Sequence, residues 1–191
     1  MSNVLGICGS PVRDGSTDIL VREVLRGAAS KGAATDYIFL NDLQIMPCQA
    51  CGKSPEKEYC FFRDDMDAVY EAFDRCDAIV VGSPVYFDSV SAQTKLFIDR
   101  TNCFRALTPD GPEKFAFRIA RKRRGVIILV GGEREKLEPA RRVIGGFFVW
   151  AGITPTDFLA FSYDGFEKGT VASDAATLSK AFAAGIALIG P

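Results

Sequence analysis

Three features of this chain predict an α/β fold: a three-layer sandwich with a five-stranded parallel sheet and helices on both faces. Apolar runs of strand length alternate five times with segments whose apolar residues recur at helical spacing. Two of the runs, 77–82 and 125–131, show almost no alternation, as strands covered on both faces do. Loops rich in Gly, Ser and Pro follow the first, third and fourth runs, and open sheets of this kind bind ligands beyond the carboxyl ends of their strands. In the strand order 2-1-3-4-5 those three loops are neighbours and converge on one pocket. The 191 residues suit one domain, 1–191, with a Cys-containing loop at about 44–63 and a polar insertion at about 105–124.

The elements follow in order. Residues 4–8 form a short buried strand. The helix at 17–31 carries Leu20, Val21, Val24, Leu25 and Ala28 on one face, and Gly32 ends it. A strand at 35–40 leads into the Cys-containing loop. Asp64 and Asp65 then stand at the start of a helix, where carboxylates suit the dipole, and Met66, Val69, Tyr70 and Phe73 are its buried face. After the strand at 77–82, a loop at 83–90 enters a helix at 91–104. The strand at 125–131 is followed by a helix at about 136–151 and a strand at 156–161. A last helix opens at Ser173, with Leu178, Phe182, Ile186 and Ile189 spaced for burial.

Composition excludes several classes. A net charge of −1 argues against a dedicated nucleic-acid binder. No apolar run reaches membrane-spanning length, and the N-terminus lacks a basic region followed by an apolar one, so a cytoplasmic protein without membrane insertion is expected. The chain has no His, which removes His-assisted nucleophiles and His-ligated metals. Of its six Cys, Cys8, Cys76 and Cys103 are scattered and read as packed thiols, while Cys48, Cys51 and Cys60 cluster.

The first loop, Gly9-Ser10-Pro11-Val12-Arg13-Asp14-Gly15-Ser16-Thr17, joins a strand to a helix N-terminus. The first helical N–H groups lack partners there, and the dipole favours an anion. Ser10, Ser16 and Thr17 add hydroxyls, Arg13 adds charge, and Gly9 and Gly15 are expected to permit unusual backbone angles. The loop lacks the Lys of a Walker A motif, and its glycine spacing does not fit the dinucleotide fingerprint. A serine-rich loop suits one terminal phosphate such as that of FMN; an ordinary strand-to-helix turn would use the same residues. In the third loop, Pro84 stiffens the chain beside Tyr86 and Phe87, whose aromatic area suits either a flavin wall or anchors for the next helix. Arg121-Lys122-Arg123-Arg124 reads as solvated surface, with the 2′-phosphate of NADPH as the alternative ligand.

Gly9-Ser10-Pro11 with Gly15-Ser16-Thr17, then Gly82-Ser83-Pro84-Val85-Tyr86-Phe87, then Ser91-Ala92-Gln93 with Lys95, Phe97, Ile98, Asp99 and Arg100, resemble the NAD(P)H-dependent FMN reductases of flavodoxin-like fold. The resemblance spans residues 4 to about 132. It implies FMN as cofactor and NAD(P)H as co-substrate. Ser10, Arg13, Ser16, Thr17 and Asp18 would match the phosphate loop, Pro84, Val85, Tyr86 and Phe87 the loop along the ring, and Gly131, Gly132 and Glu133 a third flavin loop. It also implies a homodimer or homotetramer, a small-molecule electron acceptor such as a quinone or free flavin, and no catalytic acid or base, because the flavin carries the chemistry. A flavodoxin-like electron carrier is the alternative.

Cys48-x2-Cys51-x8-Cys60 resembles the compact motif of the iron–sulfur flavoproteins, with Ser54 at the position of that motif's third Cys. A [4Fe–4S] cluster is normally held by four thiolates. Ser54, water or another ligand would have to complete the set, and Cys103 qualifies only where folding brings it near. A zinc site, a redox-active Cys48–Cys51 pair and a site without metal are the alternatives, and a flavin without a cluster is the expectation.

Overall fold

The computed structural model describes residues 2–51, 59–107, 115–117, 121–163 and 167–190, except the side chains of 106–107 and 115–117. Five parallel strands, β1 (Asn3–Cys8), β2 (Ala34–Phe39), β3 (Ala78–Tyr86), β4 (Arg123–Gly132) and β5 (Ile153–Tyr163), lie in the order β2-β1-β3-β4-β5. Cys8 pairs with Phe39 and Gly82, Pro84 with Val130, and Gly132 with Tyr163, which brings the carboxyl ends to one edge.

Successive strand side chains point to opposite faces, and both faces here are apolar. Leu5, Ile7, Ile79, Val81, Ile127 and Leu129 pack under α2 (Met66–Arg75), α3 (Ala92–Arg100) and α4 (Leu137–Trp150). Val4, Val80, Val126 and Ile128 pack under α1 (Ser16–Ala29) and α5 (Ala175–Ile189). Phe73, Phe97, Phe104 and Phe148 are fully buried, each contributing about 1.5–3 kcal/mol. Beyond the end of α1, Gly32 (φ +80°) donates its N–H to the Ala29 carbonyl (2.9 Å) and turns the chain out of the helix. Among the described residues no helix is long and apolar enough to cross a membrane.

The buried face of α5 departs from the expected one. Ala181, Ala184, Gly185 and Leu188 face inward, while Leu178, Phe182, Ile186 and Ile189 are half-buried. The cause is close approach of two helix backbones. A Cβ on Gly185 would fall 1.9 Å from the Val24 carbonyl oxygen, and one on Gly27 2.0 Å from that of Phe182. Small residues therefore take the contact face, and the large ones lie at its margins.

The third strand also runs further than its hydrophobic core suggested. β3 continues through Ser83, Pro84 and Val85 to Tyr86, where a loop was expected, and pairs with β4 as far as Pro84–Val130. It then turns at Phe87 and Asp88 (φ 53° and 60°) into a short antiparallel strand, Ser89–Val90. Positive φ at both turn residues is the geometry of a two-residue hairpin whose twist matches its strands.

The basic run is solvated as expected at Arg121, Lys122 and Arg124, which are exposed, and departs from that expectation at Arg123. Arg123 and Arg124 belong to β4, at its amino end. Arg123 is buried over the Phe73 ring (4.1 Å) and donates to the Phe73 and Arg121 carbonyls, both 2.8 Å, while Arg121 pairs with Asp77 at 2.8 Å. These groups stand at the opposite edge of the sheet from the carboxyl ends. Within the expected polar insertion, Arg105–Leu107 and Phe115–Phe117 pair as a small antiparallel ribbon.

Candidate functional site

The loop after β1 and the carboxyl ends of β3 and β4 converge on a cavity of about 320 Å³ at that edge of the sheet. At one end lies the N-terminus of α1. Gly9 leaves β1 by donating to the Gly82 carbonyl (2.8 Å) and accepts from the Ser91 hydroxyl (2.6 Å). A Cβ there would fall 1.8 Å from Thr94 Oγ1, so space and not backbone freedom demands glycine. Gly15 is likewise extended (φ −75°, ψ 166°), and the left-handed residue of the loop is Asp14 (φ 55°). Gly15 is the N-cap of α1 and offers no side chain, so no side chain caps the first turn at the cavity wall. Ser10, Ser16 and Thr17 line that wall with their hydroxyl-bearing side chains.

Asp18 and Arg13 are placed outside the cavity lining. Asp18 is fully buried behind the loop, where its carboxylate accepts from Asp14 N (2.7 Å), Tyr37 OH (2.5 Å) and Arg22 Nε (2.9 Å). It holds the loop's shape. Arg13 pairs with Asp42 and lies over the Phe39 ring at 4.4 Å. Beneath the loop, burial pushes the Cys8 thiol up to about 11, against hydrogen bonds from Ser10 and Tyr37.

At the other end, Pro84, Val85 and Tyr86 form one wall, and Val130, Gly131 and Gly132 another. A Cβ on Gly131 would meet Leu137 Cδ2 at 2.8 Å. Phe87 stands at the hairpin tip, 99% exposed and outside the lining. Lys136 N donates to Asp88 Oδ1 (2.7 Å) and ties the hairpin to the turn after β4. Glu133 is exposed, and Glu135 takes the lining position, accepting from Gly132 N at 2.8 Å. Burial, then Tyr163 and Glu135, push the Tyr86 hydroxyl above its ordinary range.

A fourth segment was not anticipated. Tyr163, Glu167, Lys168 and Gly169, between β5 and α5, also line the cavity. Gly169 (φ 71°) passes so near the phosphate loop that a Cβ would lie 2.7 Å from the Asp14 carbonyl oxygen. Lys168 Nζ is 3.6 Å from Asp14 Oδ2, and the Ser16 hydroxyl accepts from Val171 N (3.3 Å). β5 is an edge strand, but α5 packs on α1, and residues 167–169 lie over the cavity between them. Gly169 is a local signal of that approach.

The Cys-containing loop is laced at its root. Asp64 accepts from Met46 N (2.8 Å), Met66 N (3.0 Å) and both Nη atoms of Arg100 (2.5 and 3.2 Å), and Arg100 Nη1 also donates to the Met46 carbonyl (2.8 Å). Asp65 accepts from Gln44 N at 2.7 Å. The two carboxylates therefore do more than serve the dipole of α2: they join the two ends of the loop. Cys48 and Cys60 are half-buried and Cys51 is exposed. Ser54 lies outside the described residues. Among the described residues no three Cys, Asp or Glu side chains are grouped to hold a metal ion.

A parallel sheet of this order, with one cavity across the ends of its first, third and fourth strands, defines a flavodoxin-like α/β protein. A family model described as NADPH-dependent FMN reductase matches residues 2–164, and the chain belongs to that family of flavoprotein oxidoreductases. An iron–sulfur flavoprotein of Methanocaldococcus jannaschii is 34% identical over 76% of this chain and 71% of its own. A flavone reductase superimposes with a TM-score of 0.75 at 20% identity, covering 97% of this chain and 61% of that one. An NAD(P)H:quinone oxidoreductase from Methanothermobacter marburgensis does so with a TM-score of 0.70 at 17% identity, covering 100% and 98%.

Proposed function

We propose that the cavity binds FMN and that the protein passes electrons from NAD(P)H to a quinone, a free flavin or another small acceptor. One observation carries this reading: a single cavity with an uncapped helix N-terminus and three hydroxyl side chains at one end, and an aromatic and glycine-lined wall at the other. The donor set fits the cofactor. Ser10, Ser16, Thr17 and the first-turn N–H groups of α1 would hold the phosphate, with Lys168 adding charge. Pro84, Val85, Tyr86, Gly131 and Gly132 would hold the ring. Bound there, FMN supplies hydride acceptance and release; the chain supplies orientation and an access face. Gly131 permits close backbone approach, and Tyr86, 46% exposed, leaves room for a nicotinamide or an acceptor beside the wall.

Anaerobic stopped-flow mixing tests this. NADH or NADPH should bleach the visible flavin band, and a quinone should restore it. A flavin that stays oxidised over minutes with both nucleotides, yet is reduced by dithionite, sinks the reductase reading. The electron-carrier reading, which the iron–sulfur flavoprotein relative favours, would replace it.

The resemblance to FMN reductases further supports a homodimer or homotetramer. Phe87, exposed at the hairpin tip next to the cavity, gives such an assembly an apolar anchor. Light scattering behind size exclusion should return a multiple of 20.7 kDa; a single-chain mass at micromolar concentration refutes it.

A further inference from the structure

The three cysteines that cluster in the sequence lack one thiolate of the usual four, and a fourth thiol, Cys103, lies next to a residue that reaches Cys48. Cys103 lies in the turn after α3, in a segment bracketed by the two ends of the Cys-containing loop. On one side Asn102 Nδ2 is 3.9 Å from Cys48 Sγ. On the other, the Tyr59 ring packs edge-on against Phe104 at 5.3 Å and at a tilt against Tyr70 at 5.1 Å, and Cys60 and Cys103 pack against the same core. Cys103 Sγ is 3.5 Å from Tyr70 OH and 3.1 Å from the Arg100 carbonyl. Cys60 lies within electrostatic reach of both Tyr70 and Arg100.

A second observation at the same place points to a ligand. The Arg100 side chain is 1% exposed, and its Nε–H has no acceptor among the described residues. A buried donor without a partner costs about 1–3 kcal/mol. Cys60 is within electrostatic reach of this guanidinium, and N–H groups directed at cluster sulfurs tune iron–sulfur centres.

We propose that Cys103 supplies the fourth thiolate to Cys48, Cys51 and Cys60, and that the group these four hold is a [4Fe–4S] cluster. Asp64, Asp65 and Arg100 serve as positioning residues: they clasp the loop ends so that Cys48 and Cys60 stay on either side of the 102–104 segment. Binding deprotonates the four thiols and releases their protons to solvent.

The full chain, reconstituted anaerobically with iron and sulfide, tests the assignment. Acid-released flavin is counted separately, so failure of the flavin reading and failure of this one are distinguishable. The unmodified chain should hold about four irons and four acid-labile sulfides, with a broad visible shoulder and an electron-paramagnetic signal after dithionite. Cys103→Ser should fall to the iron content of Cys48→Ser, and adding Ser54→Cys to Cys103→Ser should restore it. Full iron and sulfide in Cys103→Ser, none in the unmodified chain, or zinc in their place each overturn the proposal. Alkylation of the unmodified chain keeps the test independent of variant folding. Cys103 should be protected together with Cys48, Cys51 and Cys60 when iron is loaded and become labelled after chelation, with buried Cys8 and Cys76 silent throughout. Equal labelling of Cys103 with and without iron contradicts the assignment.

Discussion

Replacing Asp64 with Ala should destabilise the fold by about 3–5 kcal/mol, the usual consequence of leaving one member of a buried ion pair alone. Arg100 and Asp64 side chains are 1% and 8% exposed, and the guanidinium would keep one acceptor, the Met46 carbonyl. The loss should appear as a lower midpoint in urea with an unchanged slope. Combining Asp64→Ala with Arg100→Met should recover much of it, because the stranded charge is gone; a double variant no more stable than Asp64→Ala would show that the pair is not the cause. The same carboxylate sets an acid limit. Burial pushes the Asp64 carboxyl up, but Arg100 and the Met46 and Met66 N–H groups outweigh it, and the net effect is a lowered pKa. A depressed folded-state pKa contributes stability that is fully present above the unfolded value, about 3.9, and is lost as pH falls through the folded one. Asp64→Asn should flatten that acid-side decline in a series of melts below about pH 5.

Ser16→Asp should abolish FMN binding without harming the fold. Ser16 is the first residue of α1, where a carboxylate is favoured by the dipole, and its hydroxyl already acts as acceptor for Val171 N, a role a carboxylate keeps. The same charge would stand beside the phosphate. At about 4 Å and an effective dielectric near 20, each pair of unit charges repels by about 4 kcal/mol, roughly a thousandfold in affinity. Riboflavin, which has no phosphate, is the control: its affinity should stay within about twofold. Isothermal titration of both ligands decides the matter. Unchanged FMN affinity would remove the phosphate from the α1 end of the cavity, and equal loss of both ligands would mean that the cavity itself had changed.

Much of the candidate cavity was legible because its signals are local. The Ser10 to Thr17 turn, Pro84 at a strand end and the Gly131-Gly132 pair each announce themselves within a few residues, and all reach the cavity. Phe87 and Glu133 shared those motifs but stand outside the lining, Phe87 because a hairpin turn throws it outward and Glu133 because the turn after β4 presents Glu135 instead. Asp18 sits in the expected loop, yet its side chain points back to Asp14, Tyr37 and Arg22.

Alternation of strands and helices, the unbroken apolar runs of β1, β3 and β4, and the apolar stripes of α1 and α2 are short-range patterns, and the sequence by itself determined from them an α/β sheet with ligand loops on one edge. Contacts between distant segments were decided by the tertiary structure alone. Gly27 and Gly185 lie 158 positions apart, as the numbering shows, and together they let α1 and α5 touch backbone to backbone. That contact turns the small face of α5 inward and carries Tyr163, Lys168 and Gly169 over the cavity. Likewise Asp64 and Arg100 join the root of the Cys-containing loop to the end of α3. Such pairs carry no periodicity: their partners are selected by shape and charge once the sheet has brought them within a few ångströms.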